Sequence, residues 1–273
     1  MNYLTPGEFI PVYQKTAATK LELSPLRRFI LSVLAGIFLG ICASMTNIAV
    51  FSLSSPGLSK LLSGLLFPFG LIMIILSSAE LFTGDCLMTI PVTNRKLPFL
   101  SVFKHLILVY FGNFLGCLIA AAVYVYIMNI NLAGGELAAF TIKTAAAKCS
   151  LGAYKVFILA IFCNILVCAA ILFSSCAKDG FGRLASAFIP ICVFVICGFE
   201  HCVANMFYIP AGIFCKSIAE FSSLALDNGI DLSSLNTLSF ILNNLIPATL
   251  GNLAGGIGFA AAINYCFNKK QAY

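Results

Sequence analysis

Six stretches of this chain, at about 28–53, 61–93, 102–129, 150–176, 184–215 and 237–267, are almost wholly apolar, and each is long enough to cross a bilayer. Only 10% of the residues are charged, against about a quarter in soluble domains. A soluble globular fold is excluded, and the chain reads as an all-α polytopic membrane protein.

Around these spans the sequence is sparse in chemistry. Residues 1–27 hold Glu8, Lys15, Lys20 and Glu22 without a cleavable signal pattern, and read as a soluble arm. Its segment GEFIPVYQKTAATK can form a short amphipathic helix on the membrane surface. The twelve cysteines include no C-x-x-C pair, and Cys192, Cys197 and Cys202 recur every five residues, which spreads them around a helix. They read as small hydrophobes, with no metal or other cofactor implied. The chain has no Trp, so Tyr110, Tyr124, Tyr126 and Tyr154 are expected at the interfaces.

Lys and Arg set the orientation. Lys15, Lys20, Arg27 and Arg28 of the arm, then Arg95, Lys96, Lys104, Lys178, Arg183, Lys269 and Lys270, fall on one side if six spans alternate. Lys60, Lys143, Lys148, Lys155 and Lys216 fall on the other. Both termini are thus expected in the cytoplasm, with a six-span domain at 28–267 in the plasma (inner) membrane and a tail at 268–273.

The second and fifth segments are too long for simple spans. At about 1.5 Å per residue, the 32 residues of 184–215 would reach roughly 48 Å across a core of about 30 Å. Both also carry polar interruptions, SSAELFTGD at 77–85 and GFEHCVANM at 198–206, in which Glu80 and Glu200 stand 120 positions apart. FGNFLGCLIAA in the third span resembles LGNLAGGIGFA in the sixth, matching Asn113 with Asn252 at an offset of 139. Three spans followed by three place the halves, about 28–129 and 150–267, in opposite orientation. The expected architecture is an inverted repeat whose second and fifth helices break at the midplane. Gly36/Gly40, Gly112/Gly116 and Gly251/Gly255 form G-x-x-x-G pairs that allow close helix approach.

Charge inside a bilayer is costly, so it marks function or pairing. Glu80, Asp85 and Glu200 are the acids inside the spans, and His201 is the central histidine; His105 lies toward the cytoplasmic interface, with no role evident. Half-helices beginning near Phe82 and after His201 would turn free N–H groups and positive dipole ends toward an anion. Thr83 is placed to hydrogen-bond the imidazole. Glu200 reads as structural, bonding the broken backbone or fixing neighbouring polar groups, with Asn164 as a candidate partner; Asn205, close behind it, is a candidate pore residue, and Asp85 suits the cap of the second half-helix. The alternative for His201 is an interior histidine that merely ties two helices together.

AELFTGD, GFEHCVANMFYIPAGI and NNLIPATLGNLAGG together resemble the formate/nitrite transporter family, over about Pro25 to Phe267. The resemblance implies an aquaporin-like protomer, a homopentamer with one pore per protomer, and small monovalent anions and protons as partners in the lipid bilayer. It implies a central pore histidine at His201 and a loop threonine at Thr83. Leu81, Phe67, Leu71 and Phe194 match its apolar constrictions. Lys148 matches an outer-vestibule lysine, Lys20 a cytoplasmic-vestibule lysine and Asn164 a buried asparagine. Formate channels tend to have small hydroxyl residues after the loop threonine, where this chain has Gly84-Asp85, so hydrosulfide and nitrite stand beside formate as substrates.

The implied activity is a passive channel or proton-linked facilitator for anions of weak acids. Lysines gather the anion, the constrictions oppose a bare charge, and the acid crosses after taking a proton. The rival reading is an aquaporin-like channel for small neutral solutes, but no Asn-Pro-Ala repeat stands at the breaks. An intramembrane enzyme is disfavoured by the lack of H-E-x-x-H and G-x-S-x-G, and no nucleotide- or nucleic-acid-binding feature is present.

Overall fold

In the computed structural model, which describes residues 3–268, three successive helices begin alike: Thr5, Ser24 and Ser55 cap helices whose first residue is proline. The hydroxyls accept backbone N–H groups, and proline has no N–H to leave unsatisfied there. These helices are α1 (Pro6–Glu22), α2 (Pro25–Val50) and α3 (Pro56–Leu66). Pro68 interrupts the second span, which continues as α4 (Phe69–Ser77), breaks, and resumes as α5 (Phe82–Asp85) and α6 (Thr89–Thr93). α7 (Phe99–Tyr126) completes the first half, and α8 (Glu136–Ser150) connects to the second.

The second half repeats the order. α9 (Ala153–Cys176) corresponds to α2, and α10 (Gly180–Cys197) to α3 and α4. After a second break α11 (Cys202–Lys216) corresponds to α5 and α6. α12 (Ala219–Asp227) turns away from α11 by 99°. The last span starts with α13 (Thr237–Ser239), passes through a π-helical turn at Phe240–Leu245, and continues as α14 (Ile246–Phe267), the counterpart of α7. The chain is an all-helical six-span protein made of two inverted repeats, with its second and fifth spans broken. Both first half-helices end in left-handed backbone, at Ser78 (φ 54°) and Gly198 (φ 72°), again 120 positions apart.

Each half is held by one intimate helix pair. A methyl group on Gly36 or Gly116 would strike the facing backbone of α7 or α2; one on Gly251 or Gly255 would strike the backbone carbonyls of Phe157 or Ile161 on α9. The small-residue pairs therefore pack α2 on α7 and α9 on α14 within one protomer, where dispersion between close backbones supplies the association. On α7 the opposite face, Phe99, Phe103, Ile107, Phe111 and Leu115, is apolar and exposed, as a surface toward hydrocarbon requires.

One expectation needs correction here. The arm does not rest on the lipid surface: Phe9, Ile10, Tyr13 and Ala17 of α1 are buried against α6, α7, α9 and α14. Its apolar stripe is satisfied by protein. Of the tail expected at 268–273, only Asn268 falls within the described residues; Lys269 and Lys270 lie outside them. All twelve cysteines are unpaired, and most are buried in the helix interfaces.

Candidate functional site

The two breaks leave backbone groups that a helix would have satisfied, and one asparagine serves each. Phe82 N–H donates to Asn113 Oδ1 (2.9 Å), while Asn113 Nδ2 donates to the carbonyls of Glu80 and Ser32, both at 2.8 Å. In the other half Cys202 N–H donates to Asn252 Oδ1 (2.8 Å), and Asn252 Nδ2 to the carbonyls of Glu200 (3.0 Å) and Ala160 (2.7 Å). Each asparagine is fully buried. The two asparagines that the sequence matches at an offset of 139 thus brace both breaks.

Between the breaks Thr83 Oγ1 meets His201 Nε2 at 2.9 Å, joining the starts of α5 and α11. His201 caps α11 by accepting the Ala204 N–H at Nδ1 (3.0 Å). With Nδ1 an acceptor, the neutral imidazole carries its proton on Nε2 and donates to Thr83, whose own hydroxyl proton is left for another acceptor. Phe194 stacks on the imidazole with ring centroids 6.0 Å apart, and Phe67 meets Phe194 edge-on at 5.9 Å.

Beside this centre lies a chamber of about 230 Å³, lined by residues that include Asn47, Lys60, Phe67, Lys148, Phe194, Glu200, His201, Asn205 and Tyr208. Leu71 and Leu81 are buried but do not line it. Glu200 is saturated: Lys148 Nζ donates to Oε1 (2.8 Å), and Asn205 Nδ2 (2.6 Å) and Asn244 Nδ2 (3.3 Å) donate to Oε2. Asn205 Nδ2 also donates to Asn244 Oδ1 (2.6 Å), and Lys148 Nζ lies 5.7 Å from the centre of the Tyr208 ring. Glu200 therefore fixes polar neighbours and takes no bond from the broken backbone. Asn164 is not its partner; it donates to the Asn252 carbonyl at 2.7 Å and to Cys86 Sγ at 3.4 Å.

A second polar cluster closes the other break. Lys20 of α1 donates to Glu80 Oε2 and Asp85 Oδ1, both at 2.5 Å, and His105 Nε2 lies 3.1 Å from Asp85 Oδ2. Arg28 Nη1 lies 3.3 Å from His105 Nδ1. Lys20 is thus an ion-pair partner within the protein, not a lysine standing free in a vestibule, and its side chain is only 23% exposed. Burial opposes its charge, but Asp85 and Glu80 outweigh burial and hold the ammonium above the ordinary lysine range. Asp85 makes no capping bond; its carboxylate is taken by Lys20 and His105. His105, given no role from sequence, is wholly buried in this cluster.

The two clusters are counterparts. Lys20, Glu80, Asp85 and His105 align with Lys148, Glu200, Asn205 and Asn244 at offsets of 128, 120, 120 and 139. TAATK at 16–20 even echoes TAAAK at 144–148, so we read α1 as the partner of α8 in the repeat. Applying the offset of 139 from Asn113 to His105 would have found Asn244 from sequence. At that same offset Tyr110 and Thr249 hydrogen-bond each other, hydroxyl to hydroxyl, at 3.0 Å.

A family model described as formate/nitrite transporter matches residues 8–266. The chain belongs to the formate/nitrite transporter family. It is 36% identical over 261 residues to the formate channel FocA of Haemophilus influenzae, covering 93% of this chain and 90% of that one. With the formate channel FocA of Escherichia coli strain K12 it shares 30% over 266 residues, 96% and 93% of the two chains. Among solved structures it is similar to a pentameric formate channel with formate bound, with TM-score 0.78 and 31% identity over 89% of this chain and 96% of that one. Membership in the formate/nitrite transporter family makes the protein a multi-pass transport protein rather than an enzyme.

Proposed function

We propose that this protein is a passive channel for small monovalent anions of weak acids, with formate foremost and nitrite and hydrosulfide as further substrates. The observation that carries this reading is the Thr83–His201 bond, made where two half-helix starts converge beside a chamber with polar groups in its wall. Positive ends of helices and a free hydroxyl proton favour an anion there. The similarity to FocA and to a pentameric formate channel supports formate as substrate and a homopentamer with one pore per protomer. The lysine and arginine distribution supports a plasma-membrane protein with both termini cytoplasmic.

Lys60 draws anions to the chamber mouth, since Lys148 is neutralised by Glu200 and Lys60 has no ion pair among the described residues. Phe67 and Phe194 then oppose a bare charge. The anion takes a proton that bulk solvent delivers through chamber water, and crosses as the acid. His201 orients it through Thr83; a second proton on His201 would need Nδ1, which is already accepting the Ala204 N–H.

Purified protein in proteoliposomes should pass formate, nitrite and hydrosulfide down matched gradients, faster at the lower of two pH values. Water or glycerol flux exceeding all anion flux would overturn the reading in favour of a neutral-solute channel.

A further inference from the structure

Two side-chain atoms of residues that line the outer chamber have no hydrogen-bond partner, although those residues are at least nine-tenths buried. They are Asn47 Nδ2, on a residue 3% exposed, and Asn205 Oδ1, on a residue 0% exposed. An unsatisfied buried polar atom is costly, so two on residues that line one chamber call for an explanation. Their identities are fixed differently. Asn205 must turn Nδ2 to the Glu200 carboxylate and to Asn244 Oδ1, which leaves its oxygen outward. Asn47 sits near the end of α2, where the Tyr124 hydroxyl is close enough to interact with it. That hydroxyl is engaged with Thr141 Oγ1 at 3.0 Å, and no hydrogen bond reaches the amide nitrogen.

Among its buried side chains the chamber thus offers one unused donor and one unused acceptor. Among its other polar groups, Thr46 and Thr144 bond carbonyls of their own helices, Lys148 and Glu200 bond each other, and Lys60 stands exposed at the mouth. A ligand that satisfies both atoms accepts at one oxygen and donates from an O–H. A small monobasic oxyacid does so, while a sulfhydryl is both a weak acceptor and a weak donor.

We propose that Asn47 and Asn205 form an oxyacid-reading subsite in the outer chamber, with Asn47 donating to a substrate oxygen and Asn205 accepting from the substrate hydroxyl. The subsite rests on the channel reading above and extends it: it selects formate and nitrite over hydrosulfide, and assigns that selection to Asn47, a residue outside the His201–Thr83 centre.

The test is flux into proteoliposomes for wild type, Asn47→Leu and Asn47→Gln. Asn47→Leu keeps the volume and removes the donor; Asn47→Gln keeps a donor. Loss of one hydrogen bond corresponds to about a five-fold change. The half-saturating formate concentration should rise about five-fold in Asn47→Leu, with maximal flux retained, and Asn47→Gln should recover part of it. The ratio of formate to hydrosulfide flux at low concentration should fall by a similar factor. An unchanged formate half-saturation in Asn47→Leu, or equal losses for formate and hydrosulfide, overturns the subsite alone. A wild-type protein that passes no anion overturns the channel reading, and the subsite with it.

Discussion

Lys20 and Lys148 perform the same task on opposite sides of the inverted repeat: each neutralises the glutamate that precedes a broken half-helix, Glu80 for Lys20 and Glu200 for Lys148. Both carboxylates are almost fully buried, so each depends on its lysine. Replacing either lysine by methionine should cost roughly 3 kcal/mol, because a buried charge is left uncompensated. Lys148→Met combined with Glu200→Gln should recover most of that loss in thermal unfolding. Equal stability of single and double variants would show that the pair contributes nothing.

The pH course of the Lys20 contribution has a definite sign. Its folded-state pKa is raised, burial opposing the charge and Asp85 and Glu80 prevailing. Such a group stabilises fully below the unfolded lysine value of about 10.4 and loses its contribution as pH rises through the folded value. The melting difference between wild type and Lys20→Met should stay constant from neutral pH to about 10 and narrow above it. A difference that narrows between pH 7 and 9 would contradict the clamp.

The counterpart clusters differ at two positions, Asp85 against Asn205 and His105 against Asn244. Converting Asp85 and His105 to asparagine copies the chemistry that already works in the Lys148 cluster. Asp85→Asn with His105→Asn should therefore fold within about 1 kcal/mol of wild type. Asp85→Asn alone should lose more than the double variant, since His105 then lacks its carboxylate acceptor. Additive losses in a thermal double-mutant cycle would speak against the correspondence.

At the centre, Thr83→Val removes the hydroxyl while preserving shape. Formate flux should drop about tenfold, the effect of one hydrogen bond to a charged acceptor, and Thr83→Ser should stay near wild type. His201→Asn should lower flux comparably, while flux still rises as pH falls because the proton is taken from water. Unaltered flux in both Thr83→Val and His201→Asn would remove the centre from the mechanism.

Glycines in the helix pairs give a stability contrast. Gly255→Ala places a methyl against the Ile161 backbone and should destabilise by about 1–3 kcal/mol, whereas at Gly258 nothing lies within 4 Å. Gly258→Ala, on the same helix, should be neutral or stabilise by up to about 1 kcal/mol. Comparable melting temperatures for the two variants would refute the close α9–α14 approach.

Much of this was legible in the sequence because it follows from periodicity and internal repetition. The excess length of 184–215, the glutamates 120 positions apart and the asparagines 139 apart located both breaks, and residue type placed Thr83 against His201. Other partners escaped because they are decided by tertiary packing. Asn164 offered two polar groups but no direction, and the fold turned it toward Asn252. The stripe of Phe9, Tyr13 and Ala17 suits protein as well as lipid, so periodicity alone could not tell which it met. His105 sat between Lys104 and Leu106 with nothing local to announce Asp85. Asn47 stood outside every motif; only a chamber wall reveals that its amide nitrogen is unmet.

The Tyr110–Thr249 hydrogen bond has a geometric meaning. A residue can touch its own counterpart only on the axis relating two copies, so this bond marks that axis. In a dimer of identical half-length chains the contact would be isologous, the same residue facing itself. Covalent fusion lifts that restriction. Tyrosine can then face threonine, and where the two breaks meet His201 can stand as the counterpart of Leu81, so that one imidazole, rather than two or none, lies between them.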